Sequence, residues 1–138
     1  MATNTAGSSG QKYHTNQTHF LAATVTYSDL GLSNVVTIGV LPPRAIVLRG
    51  STWIKTGFND TTGDDLDVGV SGSDDDLFAS AVDMNTGDVL TAFDDLADAN
   101  RYSASARTVT CNFTTAGTGD GTTGEATVML EYVVSPAP

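Results

Sequence analysis

Lysine and arginine are scarce in this chain: six residues, against sixteen aspartates and glutamates, for a net charge of −10 over 138 residues. Phosphate binding needs Lys and Arg in excess, so nucleic acid is not expected as a direct partner. The same deficit argues against anionic membrane surfaces. Cysteine occurs once, as Cys111, which leaves no intrachain disulfide framework. The longest mainly apolar stretch, Val35 to Leu41, is far too short to span a bilayer. Residues 1–17 contain no apolar h-region, so a signal peptide is not expected. Histidine is limited to His14 and His19. A Cys–His or Ser–His pair would have to recruit one of these from a loose terminus, and nucleophilic catalysis needs a rigid frame. No enzyme activity is expected.

What the chain does have is enough apolar sequence, 40% of residues, to build one core. Its length fits one domain. The charge is not evenly spread. Between Lys55 and Arg101 there is no cation, and that interval holds Asp60, Asp64, Asp65, Asp67, Asp74, Asp75, Asp76, Asp83, Asp88, Asp94, Asp95 and Asp98. Aspartate favours turns and caps, which places these charges on loops. Three readings of the acidic stretch stand side by side: a solvated face, a surface for a basic partner, or calcium coordination. The last has a poor pattern match. A calcium loop starting at Asp83 would put Gly87 at a ligand position, Asp88 at the turn glycine and Asp94 at the closing glutamate.

Residues 1–17 are small and polar without a period, and read as a flexible N-terminal arm. The remainder, 18–138, reads as one domain. From Phe20 the pattern alternates, with Leu21, Ala23, Val25 and Tyr27 against Ala22, Thr24, Thr26 and Ser28, followed by a turn at Asp29–Gly31. Strands are expected at Val35–Leu41, stopped by Pro42-Pro43, and at Ala45–Thr56. In the latter, Ile46, Leu48 and Ile54 fall on one face and Arg49, Trp53 and Lys55 on the other. A short strand follows at Leu66–Val70 with Asp67 outward. Residues 74–100 are ambiguous and read as a partly helical insertion, with DDDLFASAVDM either a capped turn or another strand. Val109, Cys111 and Phe113, and then Val128, Leu130, Tyr132 and Val134, mark two further alternating strands. The glycine-rich linker 116–124 is expected to join them as a hairpin. Threonine enrichment suits pleated strands. The fold class expected is all-β: an antiparallel β-sandwich of jelly-roll type.

Candidate chemistry is thin. Gly119, Gly121 and Gly124 spell G-x-G-x-x-G, but a strand follows where a dinucleotide site needs a helix, and Asp120 would meet the phosphate. No cofactor is expected. Asp64/Asp65 and Asp94/Asp95 lack the aromatic platform of a sugar hydrolase. The more useful group is Trp53 with Arg49 and Lys55, either a sheet face covered by aliphatic stems or a binding patch. The arm is the other candidate, since a terminus leading into a strand can add to a neighbour's sheet. Candidate partner-binding residues are therefore Lys12, Tyr13, His14, His19, Arg44, Arg49, Trp53 and Lys55.

Several strings carry a resemblance. They are Leu41-Pro42-Pro43-Arg44-Ala45, Ile54-Lys55-Thr56-Gly57-Phe58-Asn59, Leu66-Asp67-Val68-Gly69-Val70-Ser71-Gly72, Phe78-Ala79-Ser80-Ala81, Gly117-Thr118-Gly119, Thr123-Gly124-Glu125-Ala126 and Glu131-Tyr132-Val133-Val134. Together, over roughly residues 20–134, they resemble small virion proteins of tailed bacteriophages, among them capsid decoration, or cement, proteins. The resemblance implies a structural protein on the outer capsid surface, made in the host cytoplasm, with the major capsid protein as partner. It also implies a homo-oligomer, with a trimer at local threefold axes the expectation, and it carries no catalytic residue. A head-fibre or tail-associated module that binds a receptor or glycan is the alternative.

Overall fold

The computed structural model describes residues 17–32, 35–59, 65–113 and 121–136. Eight strands account for most of it: β1 His19–Thr26, β2 Val35–Leu41, β3 Ala45–Thr56, β4 Asp65–Val70, β5 Ala79–Asp83, β6 Val89–Ala92, β7 Arg107–Phe113 and β8 Glu125–Val134. Two short helices interrupt them, α1 at Tyr27–Leu32 and α2 at Asp98–Arg101.

The pairing is nested and antiparallel: β1 with β8, β2 with β7, β3 with β6 and β4 with β5. This is one long hairpin folded over on itself. Two further pairings, β3 with β8 and β4 with β7, close it into two sheets ordered β1-β8-β3-β6 and β2-β7-β4-β5. The result is the eight-stranded jelly roll. Inward side chains of both sheets form one core, including Val25, Leu41, Ile54, Phe58, Leu66, Phe78, Met84, Phe113, Val128 and Leu130.

Local chemistry explains the corners. Pro42-Pro43 ends β2, and the chain reverses through Arg44 at φ 67, where the Ala45 N–H donates to the Pro42 carbonyl at 3.2 Å. At the end of β1 the chain enters a short helix in place of the expected turn, because the Asp29 carboxylate accepts from the Thr26 N–H at 2.7 Å and caps that start. Asn59 ties the β3 end to the start of β8, its Oδ1 accepting from the Thr122 and Thr123 N–H groups at 2.8 and 3.0 Å.

Three further expectations need correction, and that for Asp67 needs an addition. Ile46 and Leu48 do not share the inward face of Ile54. The register of β3 shifts between Val47 and Arg49, so Ala45 and Val47 point inward before the bulge and Thr52 and Ile54 after it. Asp67 has the outward parity expected of it, opposite Asn112, but is buried there, with its carboxylate accepting from the Ala81 N–H at 2.7 Å. Segment 74–100 is not simply an insertion: it contributes β5 and β6, one to each sheet, and only one helical turn, α2. Strands β7 and β8 are not a hairpin pair, because they belong to different sheets. The expected arm lies outside the described residues except for Gln17.

Candidate functional site

The outer face of the β1-β8-β3-β6 sheet brings the most informative residues together. Cross-strand registers arrange its outward positions in rows. Phe20, Glu131 and Arg49 form one row; Ala22, Met129, Ser51 and Ala92 the next; Thr24, Thr127, Trp53 and Leu90 the third. Phe20 is 68% exposed and Leu90 62%, while Trp53 is half-buried. Beside Phe20, over the first two rows, lies a shallow groove of ≈ 210 Å³ whose walls include Phe20, Ala92 and Met129.

The two cations on this face are neutralised by the neighbouring strand. Arg49 makes a forked contact with Glu131, Nε to Oε2 at 2.9 Å and Nη2 to Oε1 at 3.3 Å. That partner raises the pKa of the guanidinium, first by hydrogen bonding and then by charge. Lys55 Nζ lies 3.4 Å from Glu125 Oε2. Exposed pairs like these contribute little to stability. Their effect here is electrical: two positive and two negative charges cancel on this face, while the chain as a whole carries −10.

Of the candidate residues read from sequence, the structure therefore joins Arg49, Trp53 and Lys55 on one face. His19 stands at the start of β1, its ring stacked on Tyr132 at 5.4 Å between centroids. Arg44 sits at the β2–β3 corner, held by backbone bonds to Ser103 and Ser135. Lys12, Tyr13 and His14 lie outside the described residues. Phe20, Leu90 and Met129 are additions from the structure. Phe20 shares the outward parity of Ala22 and Thr24, which is the available signal in the sequence, while a helix-like spacing obscures Leu90.

Arg101 and Arg107 are further additions, and both are fasteners. Arg101 Nη1 donates to the Val47 and Leu48 carbonyls at 3.1 and 2.6 Å, which satisfies the backbone opened by the β3 bulge. Arg107 donates to the Asn100 and Arg101 carbonyls at 2.7 and 3.0 Å. Cys111 is buried in the core. Its thiol is pushed up to about 12, chiefly by desolvation, so it stays protonated and is a poor nucleophile at neutral pH.

The densest group of acids lies on the other sheet, while Asp88 and Asp94 flank β6. The loop after β4 folds back over that strand and places Asp74, Asp75 and Asp76 so that one carboxylate oxygen of each lies within 4.8 Å of the others. These three residues could hold a cation. The calcium-like spacing from Asp83 to Asp94 is used differently: Asp83 closes β5, and Asp94 accepts from the Ser80 N–H at 3.3 Å. A hollow of ≈ 400 Å³ beside the acidic loop is lined by Val70, Ser71, Asp75, Thr110 and Asn112, among others.

Crowding has a pH consequence. Asp67 has its pKa raised by burial, against the Ala81 hydrogen bond, and further by Asp75 and Asp65. Asp76 is raised by its hydrogen bond with Asp74, then by desolvation and by nearby carboxylates. A carboxyl raised above its unfolded-state value favours the folded state most when protonated. Its stabilising contribution is complete below the ordinary carboxylate range and is lost as pH rises through the raised value. Taking the protein from about pH 7 down into the ordinary carboxylate range, about pH 4, should therefore raise its urea midpoint. Asp67→Asn keeps an acceptor for Ala81 and removes the titration, so its midpoint should climb less over the same range. An identical climb in both proteins would show that Asp67 is not a source.

No protein-family model matches the chain, and no curated protein matches it. Solved structures do. A chain in the acidic stable capsid structure of Helicobacter pylori bacteriophage KHP30 aligns with a TM-score of 0.63 at 17% identity, over 87% of this chain and 89% of that one. A chain in the capsid of Ralstonia phage GP4 gives 0.62 at 16%, over 88% and 85%. One in the capsid asymmetric unit of cyanophage Pam1 gives 0.56 at 17%, over 86% and 84%. Coverage is nearly equal in both directions, so these chains are about the size of this one. At such identities the likeness establishes a shared fold: the jelly roll described above is one that also occurs in chains of three phage capsids.

Proposed function

We propose that this chain is a structural phage virion protein that decorates the outer surface of the capsid and stabilises it by bridging major capsid subunits. The observation that carries the reading is the match of the whole jelly roll, in both directions, to similarly sized chains of phage capsids. The surface is consistent with that task. It offers a broad sheet face whose strand charges cancel, with exposed Phe20 at one edge and Leu90 beside Trp53 at the other, suited to a protein surface rather than an enclosed small molecule. The role assigned is mechanical, with no catalytic step.

The physics of such a role is linkage. A clip that binds the mature shell and not its precursor stabilises the mature form by mass action. Repetition over many equivalent positions turns a modest energy per site into a large total. The major capsid protein is the partner, and the acidic loops of the second sheet face solvent or basic shell loops.

The test is sedimentation of the recombinant chain with expanded shells lacking it and with unexpanded precursors. The expected result is saturable binding to expanded shells alone, at a copy number that is a multiple of the local symmetry. Deleting residues 2–17 should weaken that binding and leave the fold intact. Equal binding by the truncated chain would remove the N-terminal segment from the role. Binding to neither shell would overturn the decoration reading and favour a fibre- or tail-associated module that recognises a receptor.

A further inference from the structure

The four sheet edges of the sandwich are not treated alike. On one side, β5 and β6 are only five and four residues long. They are flanked by Asp83, Asp88 and Asp94, and Ala81 and Asp88 take positive φ values of 53 and 60. Short length, charge and irregular backbone are the devices by which proteins prevent edge-to-edge pairing. On the other side, β2 has a register shift between Thr37 and Gly39. Strand β1 has none of these. It runs for eight residues in unbroken register with β8, from His19 opposite Tyr132 to Thr26 opposite Glu125. From Phe20 to Thr26 it contains no charge and no proline. Among the described residues β8 is its only strand partner.

We propose that the β1 edge is a self-association surface, on which a second copy of this chain adds its own β1 antiparallel about a twofold axis. Electrostatics selects the occupant. A basic partner would be drawn to the acidic loops. A partner that itself carries −10 is repelled over most of the surface and approaches most easily where there is no charge, along β1 and the neighbouring β2. Antiparallel strands meet such an edge as equals, and the twofold closes the interface. Centred on Ala22, it sets Phe20 of each copy against Thr24 of the other and Leu21 against Ala23. Faces then agree, because outward residues meet outward ones. The two β1-β8-β3-β6 sheets become one eight-stranded sheet, and the two exposed Phe20 rings lie on its continuous outer face.

Sedimentation equilibrium of the full chain at about 100 μM tests this. The expected mass is twice the 14.3 kDa of one chain. Association should strengthen with added salt, because screening reduces the repulsion between two acidic molecules and no ion pair is lost. The double substitution Ala22→Lys/Thr24→Lys should give a monomer. Lysine is the stricter choice, since it lowers the overall negative charge and yet places cations face to face at the edge. Both positions are exposed, and an unchanged urea midpoint for the monomer confirms that the fold survives. Should that variant fail to fold, deletion of residues 1–16 decides the matter: a dimer that persists supports β1 pairing, and its loss assigns the edge to the N-terminal segment instead. Leu90→Lys, on the opposite edge, should leave the dimer intact. A monomeric parent, a trimeric mass, a dimer indifferent to the two lysines, or a dimer lost with Leu90→Lys overturns the proposal.

Discussion

Phe78→Ala should cost about 3–5 kcal/mol of folding stability, a large share of the roughly 5–15 kcal/mol typical of a whole domain. The ring is fully buried in the core, and its backbone is tied on both sides. The Phe78 N–H donates to the Val68 carbonyl at 2.8 Å, and the Phe78 carbonyl accepts from the Asp95 N–H at 3.2 Å. The Arg107 guanidinium carbon stands 5.5 Å from the ring centroid, and burial lowers that group's pKa, so the aromatic face replaces some lost solvation. From Arg107 the connections continue to the α2 carbonyls, and through Arg101 to the β3 bulge. Removing the ring therefore opens a cavity and frees the clamp that holds the acidic segment onto the sandwich. Phe20→Ala is the control. At 68% exposure its cost to the isolated fold should stay within about 0.5 kcal/mol. Urea midpoints compare the two; a Phe78→Ala cost below about 1 kcal/mol would remove Phe78 from its place as an anchor.

That anchor sits in the stretch where the sequence is hardest to read, and the reason is physical. Periodicity identifies a strand only when the strand is long enough to repeat. The bounds of β2 and β3 coincide with the expected 35–41 and 45–56, and the inward sets of β7 and β8 follow their alternation. By contrast β5 and β6 are too short to show a period. The spacing of Val89, Leu90, Phe93 and Leu96 imitates a helix, although Leu90 points outward and Val89 inward. The faces of β3 mislead for another reason. A bulge is set by the partner strand, and one extra residue at Leu48 reverses the parity of everything before it. Arg49, Trp53 and Lys55 all lie beyond it, which is why their shared face is legible. The neutrality of that face is not. Glu131 and Glu125 arrive from 82 and 70 residues away in the chain, beyond any local signal.

Gly69→Ala should be nearly as damaging as the loss of Phe78, by about 2–5 kcal/mol, and for the opposite reason. Gly69 occupies an outward position of β4, but the acidic loop lies on it. A Cβ placed there would meet the Asp74 carbonyl oxygen at 2.2 Å and the Asp75 carbonyl carbon at 2.4 Å. These are backbone atoms, so no side chain can rotate away. The loop is also held. The Val70 N–H donates to the Asp74 carbonyl at 2.7 Å, and Asn112 Nδ2 donates to Asp75 Oδ2 at 2.9 Å. A methyl group forces the loop outward, breaks the Val70 bond and exposes Asp67 beneath. The cost combines overpacking with an unsatisfied amide. Gly72, in the same loop, separates this from a mere preference for glycine. It has φ +76, and a methyl group at its Cα would have no atom within 4 Å, so Gly72→Ala bears only the cost of the left-handed backbone, about 1–2 kcal/mol. Equilibrium unfolding in urea should therefore rank Gly69→Ala clearly below Gly72→Ala in stability. Gly69→Ala should also weaken the dependence on pH, because Asp67 regains solvent when the loop lifts. The reverse ranking would mean that the acidic loop does not rest on β4, and that Asp67 owes its burial to something else.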